Sequence, residues 1–101
     1  MSGLDAFRGR LDDLDDRISK LLGERFEVCR EIACFKREHE IPMMQPDRVV
    51  AVRGHYLARG GEVGLPADFS EGLFELLIAA TCRMEDELID APDAVEGNAT
   101  T

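Results

Sequence analysis

Five side chains interrupt the apolar stripes of this sequence in a pattern that suits the binding of a small anion. Arg25 stands between Leu21 and Val28, where the run of apolar positions calls for another apolar residue. Lys36 follows eleven residues later, so at about 100° per residue the two lie within about 20° on one helix face. Their Cα atoms would be about 16 Å apart along the axis, a gap that two long side chains can close onto something small. Thr81 and Glu85, four apart, continue the line of Phe74, Leu77, Ile78 and Leu88, and Arg48 opens a separate segment after Pro46. Taken singly, each has a bland reading. A cation at a stripe edge ordinarily snorkels to water, and a threonine often bonds back to its own helix. An ion pair between Arg25 and Glu85 would be a structural device. Three cations and two polar groups from three segments are harder to dismiss, because burying that much positive charge is costly unless an anion completes it. A ligand with one or two carboxylates would do so through bidentate guanidinium pairs.

The segments that carry these residues read as helices. Apolar residues at Leu4, Phe7, Leu11, Leu14, Ile18, Leu21, Leu22, Val28, Ile32 and Phe35 have three-four spacing, without proline, up to about Glu38, and Pro42 closes the connection. A helix of that length spans roughly 50 Å, whereas a compact domain of this size has a radius of gyration near 13 Å. Its stripe would be left wet at one end, so a homodimer is expected. Arg8 lies seventeen residues before Arg25, about 25 Å along the axis and about 100° around it. It cannot reach the same pocket within one chain, but in an antiparallel dimer it reaches the partner's. A second helix is predicted from Asp47 to about Arg59, stopped by Gly60-Gly61, and a third after Pro66 to about Ile89, with Asp68 and Glu71 at capping-box spacing. From Ala91 the sequence APDAVEGNATT has no periodicity and reads as a disordered tail, leaving one helical domain over residues 1–90.

Composition narrows the function. A net charge of −9 argues against nucleic-acid binding, which needs a basic face. No apolar run is long enough for a membrane span, and no signal peptide is visible, so a cytoplasmic protein is expected. Cys29, Cys34 and Cys82 lack metal-site or disulfide spacing and read as reduced, buried thiols; His39 and His55 are isolated, so neither a metal nor a cofactor is expected.

Arg8, Asp15, Arg25 and Lys36 on one long first helix, then Arg48, then Thr81 and Glu85 on the last, resemble the all-helical chorismate mutase family over about residues 4–90. The resemblance implies an all-α, three-helix type II fold, an intertwined homodimer, and active sites that each borrow one arginine from the other chain. By that resemblance Arg25 and the other chain's Arg8 hold the substrate carboxylates, Lys36 donates to the ether oxygen with Glu85 beside it, and Arg48 and Thr81 complete the pocket. The implied reaction is an isomerisation, the concerted [3,3] shift of chorismate to prephenate. It needs no nucleophile, proton transfer or cofactor, only a held conformer and stabilised charge on the breaking ether oxygen.

Two positions depart from the family pattern. An acid that accepts the substrate's C4 hydroxyl usually follows the second-helix arginine, and here that position is Val49; an acid three residues before the arginine is replaced by Gln45. The stretches IPMMQPDRV and TCRMEDELI are similar to a narrower group, the mutases that act on 4-amino-4-deoxychorismate in bacterial antibiotic pathways leading to 4-aminophenylalanine. That likeness makes the amino substrate the leading expectation. An ammonium would welcome a glutamate, so Val49 explains the lost hydroxyl reading better than a gained amine reading. The Gln45 carbonyl, a backbone carbonyl near Met43 or Met44, and a water are the candidate acceptors. The alternatives are an ordinary chorismate mutase, an isochorismate pyruvate-lyase on the same fold, and a non-catalytic helical module that binds a related metabolite.

Overall fold

With no proline to interrupt its stripe, the first segment forms a single helix, α1 (Gly3–Glu38), of 36 residues. At about 1.5 Å per residue it is about 54 Å long, and it sets the longest dimension of the molecule, 57 Å. The computed structural model describes residues 3–42 and 45–89 and adds α2 (Pro46–Glu62) and α3 (Ala67–Ile89). The expected tail from Ala91 lies outside the described residues. α1 closes with Ile41 N–H donating to Lys36 O at 2.9 Å and Glu40 N–H to Arg37 O at 3.4 Å. That double bond pattern places Glu40 in the left-handed region, at φ 53°, where glycine is the usual occupant.

The second helix is longer than its glycines suggested. Gly60 and Gly61 remain helical, and the stop is Gly64, at φ 82°. Leu65 N–H donates to Gly60 O at 2.8 Å and Gly64 N–H to Gly61 O at 3.3 Å, which satisfies carbonyls that the helix end would otherwise orphan. Gly60 has a different task. A Cβ there would collide with the Ser70 hydroxyl, so the glycine lets α3 cross close over α2. The capping box is also absent. α3 already begins at Ala67, Asp68 Oδ1 accepts only the adjacent Phe69 N–H at 2.9 Å, and Glu71 is instead clamped by Arg53 of α2, with Nε to Oε2 at 2.8 Å. The bonds from Arg53 hold the Glu71 carboxyl below its usual range.

α3 packs against both other helices, and α1 and α2 do not pack on each other. The molecule is 15 Å thick, little more than one helix diameter of about 10–12 Å, so the helices form a single layer. Its radius of gyration, 17.9 Å, exceeds the roughly 13 Å of a compact chain of this length. Among the described residues, the buried apolar side chains are Cys29, Ala33, Phe74 and Leu77. The stripe of α1 lies open instead: Phe7 is 59 % exposed, Leu11 57 % and Leu21 63 %. Phe69, in the first turn of α3, is exposed as well. Among the described residues no helix is long and apolar enough to cross a membrane.

Candidate active site

Arg25 and Lys36 project from the C-terminal half of α1 toward the end of α3 and the start of α2, and the three elements enclose a cleft of about 320 Å³. Arg25, Lys36, Gln45, Arg48, Val49, Thr81 and Glu85 all line it. Seven of the eight expected site residues, five from spacing and two from the family resemblance, therefore come together in one place. Arg8 is the exception. It sits near the start of α1, exposed, with Asp5 at 3.8 Å, and does not line the cleft of its own chain.

The electrostatics of the cleft are uneven. Lys36 Nζ donates to Glu85 Oε1 at 3.1 Å, and the two side chains are only 15 % and 10 % exposed. Glu85 thus lies beside Lys36, as the resemblance implies, and the bland alternative of an ion pair between Arg25 and Glu85 is not formed. Arg25 is half-buried and has only the weak Sγ acceptor of Cys29, one turn on, at 3.9 Å. Among the described residues neither Arg25 nor Arg48 has a carboxylate partner. A half-buried guanidinium without an anion is what a ligand carboxylate would complete.

Thr81 is buried, and its hydroxyl donates to Leu77 O at 2.8 Å, so the proton is committed to its own helix and the oxygen lone pairs remain for the cleft. Gln45 is the residue before α2, yet its side chain makes no capping bond; its Nε2 donates to Pro42 O at 3.0 Å. Val49, one turn further, adds only apolar surface.

The remaining walls include Cys29 and Ile32 from α1, Val52 from α2, and Ile78 and Cys82 from α3, none of them singled out beforehand. Their signal was the same helical spacing: Cys29 and Ile32 follow Arg25 by four and seven, Val52 follows Arg48 by four, and Ile78 and Cys82 precede Thr81 and Glu85 by three. All three cysteines are free, but only Cys29 is buried; Cys34 is exposed and Cys82 intermediate. Burial pushes the Cys29 thiol up from its ordinary value while Arg25 pulls it down, and burial raises Cys82 as well. Neither is a primed nucleophile. Among the described residues no group of three or more His, Cys, Asp or Glu could hold a metal ion.

A second hollow of about 800 Å³ adjoins the cleft through Arg25, Arg48 and Val52 and continues along α2 past Tyr56, Val63, Leu65 and Leu73. It is mostly apolar in lining and opens beside the very residues of the cleft.

An all-helical chain with a long first helix, and a cleft built from cations and hydrogen-bonding groups on all three helices, define the class. The family of chorismate mutases of type II matches residues 7–86, and the chain belongs to it. It is an enzyme of the isomerase class. Among curated relatives it is similar to 4-amino-4-deoxychorismate mutase of Streptomyces pristinaespiralis, 37 % identical over 85 % of this chain and 67 % of that one. A 4-amino-4-deoxychorismate mutase of Streptomyces venezuelae is 34 % identical over 82 % of this chain and 81 % of that one. The T-protein of Haemophilus influenzae is 23 % identical over 86 % of this chain and 23 % of that one. No solved structure matches the chain significantly.

Proposed function

We propose that the chain rearranges 4-amino-4-deoxychorismate to 4-amino-4-deoxyprephenate by a [3,3] shift, acting as a homodimer in the cytoplasm. The observation that carries the reading is the composition of the cleft: three cations and one carboxylate, with a valine where the start of α2 meets the ligand space. Both Streptomyces relatives bear the name of that activity. The substrate is a dicarboxylate, and Arg25 supplies a half-buried guanidinium for one carboxylate, with Arg48 beside it at the mouth. Arg8 of a second copy supplies the other contact. It lies on the exposed end of α1, and the apolar hollow along α2 is of a kind to receive the stripe of another α1. Lys36, held by Glu85, donates to the ether oxygen as the carbon–oxygen bond breaks and charge accumulates there. The new carbon–carbon bond forms in the same step, so no base or nucleophile takes part, and holding the reacting ends together does the rest.

The test is turnover of 4-amino-4-deoxychorismate, chorismate and isochorismate by the purified protein under identical conditions. The expected result is a kcat/KM at least about tenfold higher for the amino substrate than for chorismate, equivalent to about 1.4 kcal/mol of transition-state discrimination. Equal or better use of chorismate would leave an ordinary chorismate mutase. Release of pyruvate from isochorismate would mark a lyase, and no turnover of any of the three a binding module.

A further inference from the structure

We infer that Asp15 of one copy docks against His55 and Tyr56 of the other, and that this contact sets the register in which Arg8 enters the neighbouring cleft. The inference rests on the homodimer with a borrowed Arg8 and adds the contact that places it. Arg8 needs such help. Arg25, Lys36 and Arg48 already line the cleft, and its one carboxylate, Glu85, is engaged by Lys36. An arginine from another chain therefore enters a site of its own sign until the substrate arrives. An opposite charge further along the same helix offsets that repulsion if it finds a partner of its own.

The two halves of the contact stand open in the single chain. The hollow that adjoins the cleft takes its polar wall from Arg48, His55, Tyr56, Arg59 and Ser70, and among the described residues no acid lines it. Arg59 has Glu62 beside it at 3.0 Å. His55 meets the Tyr56 ring edge-on, and neither side chain makes a hydrogen bond with a described residue. The Ser70 hydroxyl, on the same wall, is buried and has no partner among the described residues. An orphaned buried hydroxyl and two unspent donors mark a surface that something else completes. The stretch DDLDD in α1 supplies the opposite sign. Asp12, Asp13, Asp15 and Asp16 are exposed, and none forms an ion pair with a described residue.

Equal steps on two helices bring the halves together. Asp15 follows Arg8 by seven residues, so it lies about 10 Å further along α1 and within about 20° of the same face. His55 follows Arg48 by seven, with the same rise and the same turn along α2. Arg8 stands near the start of α1, and the open stripe from Leu11 to Leu22 lies beyond it. The hollow begins at the cleft beside Arg48 and ends at Val63 and Leu65. A second α1 with its Arg8 at Arg48 can lay that stripe in the hollow only by running in the direction of α2. Asp15 then falls level with His55, next to Tyr56. A carboxylate accepts from the Tyr56 hydroxyl and from a ring N–H of His55, which an imidazole carries in either protonation state. Asp13, two residues from Asp15, points about 160° away and takes no part.

The test measures the dimer dissociation constant by sedimentation, with kcat/KM on 4-amino-4-deoxychorismate beside it, for Asp15→Lys, His55→Glu and a one-to-one mixture of the two. Asp15→Lys sets a cation against His55 and Arg48, and His55→Glu sets a carboxylate against Asp15. Each is expected to raise the constant at least about tenfold. In a mixed dimer both contacts again join opposite signs, one of them reversed. The mixture is therefore expected to return to within about threefold of wild type, and turnover with it. Asp13→Lys makes the same charge change on the other side of α1 and is expected to leave the constant unchanged. Asp15→Asn, too mild to unfold an exposed helix, is expected to raise it by about threefold. Single variants that dimerise like wild type, a mixture that stays dissociated, or an Asp13→Lys effect as large as that of Asp15→Lys overturns the contact and leaves the Arg8 reading standing. A wild-type chain that turns over as a monomer overturns that reading itself, and this contact with it.

Discussion

Lys36 and Glu85 raise a question that a single substitution cannot answer, because each is the other's partner as well as a wall of the cleft. The pair is 3.1 Å apart and only 15 % and 10 % exposed. Removing one member of a buried pair strands the other charge, at a cost of about 3–5 kcal/mol; with this residual exposure the lower end, about 3 kcal/mol per chain, is appropriate. For a chain of this size each kcal/mol moves the melting temperature by roughly 4–8 °C, so Lys36→Met should lower it by roughly 12–24 °C. Replacing both partners by apolar residues of similar volume is nearly neutral. The double variant Lys36→Met with Glu85→Leu should therefore melt close to the wild type. Its activity should not return. A donor aimed at developing oxygen charge is worth a factor of about 10²–10³, and the double variant still lacks it. The assay pairs thermal unfolding with kcat/KM on the amino substrate for the two single variants and the double. If activity recovers along with stability, Lys36 only holds the helices in place and the mechanism assigned to it is wrong.

Four further outcomes follow from the geometry. Arg8→Ala and Arg25→Ala protein should each be inactive alone, yet regain part of the activity after subunit exchange, because a mixed dimer carries one site with both arginines; no recovery after proven exchange would remove Arg8 from the site. Val49→Glu should raise turnover of chorismate by about tenfold by supplying an acceptor beside the C4 position, read as absolute kcat/KM on that substrate. Glu40→Gly should stabilise the fold by up to about 1 kcal/mol, since φ 53° strains any residue with a Cβ, as denaturant midpoints would report. The Cys29 thiol is pushed up from its ordinary 9.0 by burial, so the folded state holds that proton more tightly. The stability this contributes is complete below about pH 9 and is lost as the pH rises through the folded value, so wild type should weaken more steeply in alkali than Cys29→Ala in parallel melts.

What the sequence disclosed and what it hid separate along the range of the interactions involved. α1 was legible end to end because its stripe repeats for ten turns with nothing to break it. The same regularity placed Arg25 and Lys36 on one face and Thr81 and Glu85 on another. Spacing alone did not choose a partner for Glu85. Arg25 and Lys36 share one face of α1, and it is the lysine, set beside Glu85 by the family resemblance and 49 positions away in sequence, that makes the bond. The end of α2 was misplaced for a similar reason. Two adjacent glycines are an ordinary stop, but Gly60 is held in the helix by the approach of Ser70, ten residues on and in another element. Glu71 has capping-box spacing from Asp68 and was drawn off by Arg53, eighteen residues earlier. Local spacing predicts which face a side chain shares; it does not tell which neighbour will reach it first.

The same geometry explains how recognition of one substituent could change while the rest of the site was kept. The proposed clamp and its supports, Arg25, Lys36, Thr81 and Glu85, belong to α1 and α3, which pack directly on each other. Gln45 and Val49, which we propose lie nearest C4, stand at the start of α2, and among the described helices α2 packs on α3 and not on α1. Neither residue takes part in the Lys36–Glu85 pair or in the bond from Thr81 to Leu77. The reaction demands that the ether oxygen and the carboxylates be held with little tolerance, because a misplacement of about 1 Å can cost a hundredfold in rate. It makes no such demand at C4, which takes no part in the bonds that break and form. On the proposed reading, a site that places the tolerant contact on a helix apart from Lys36 and Glu85 can exchange an acid for Val49 and Gln45, and a hydroxyl for an amine, without loosening the contacts on which the rate depends.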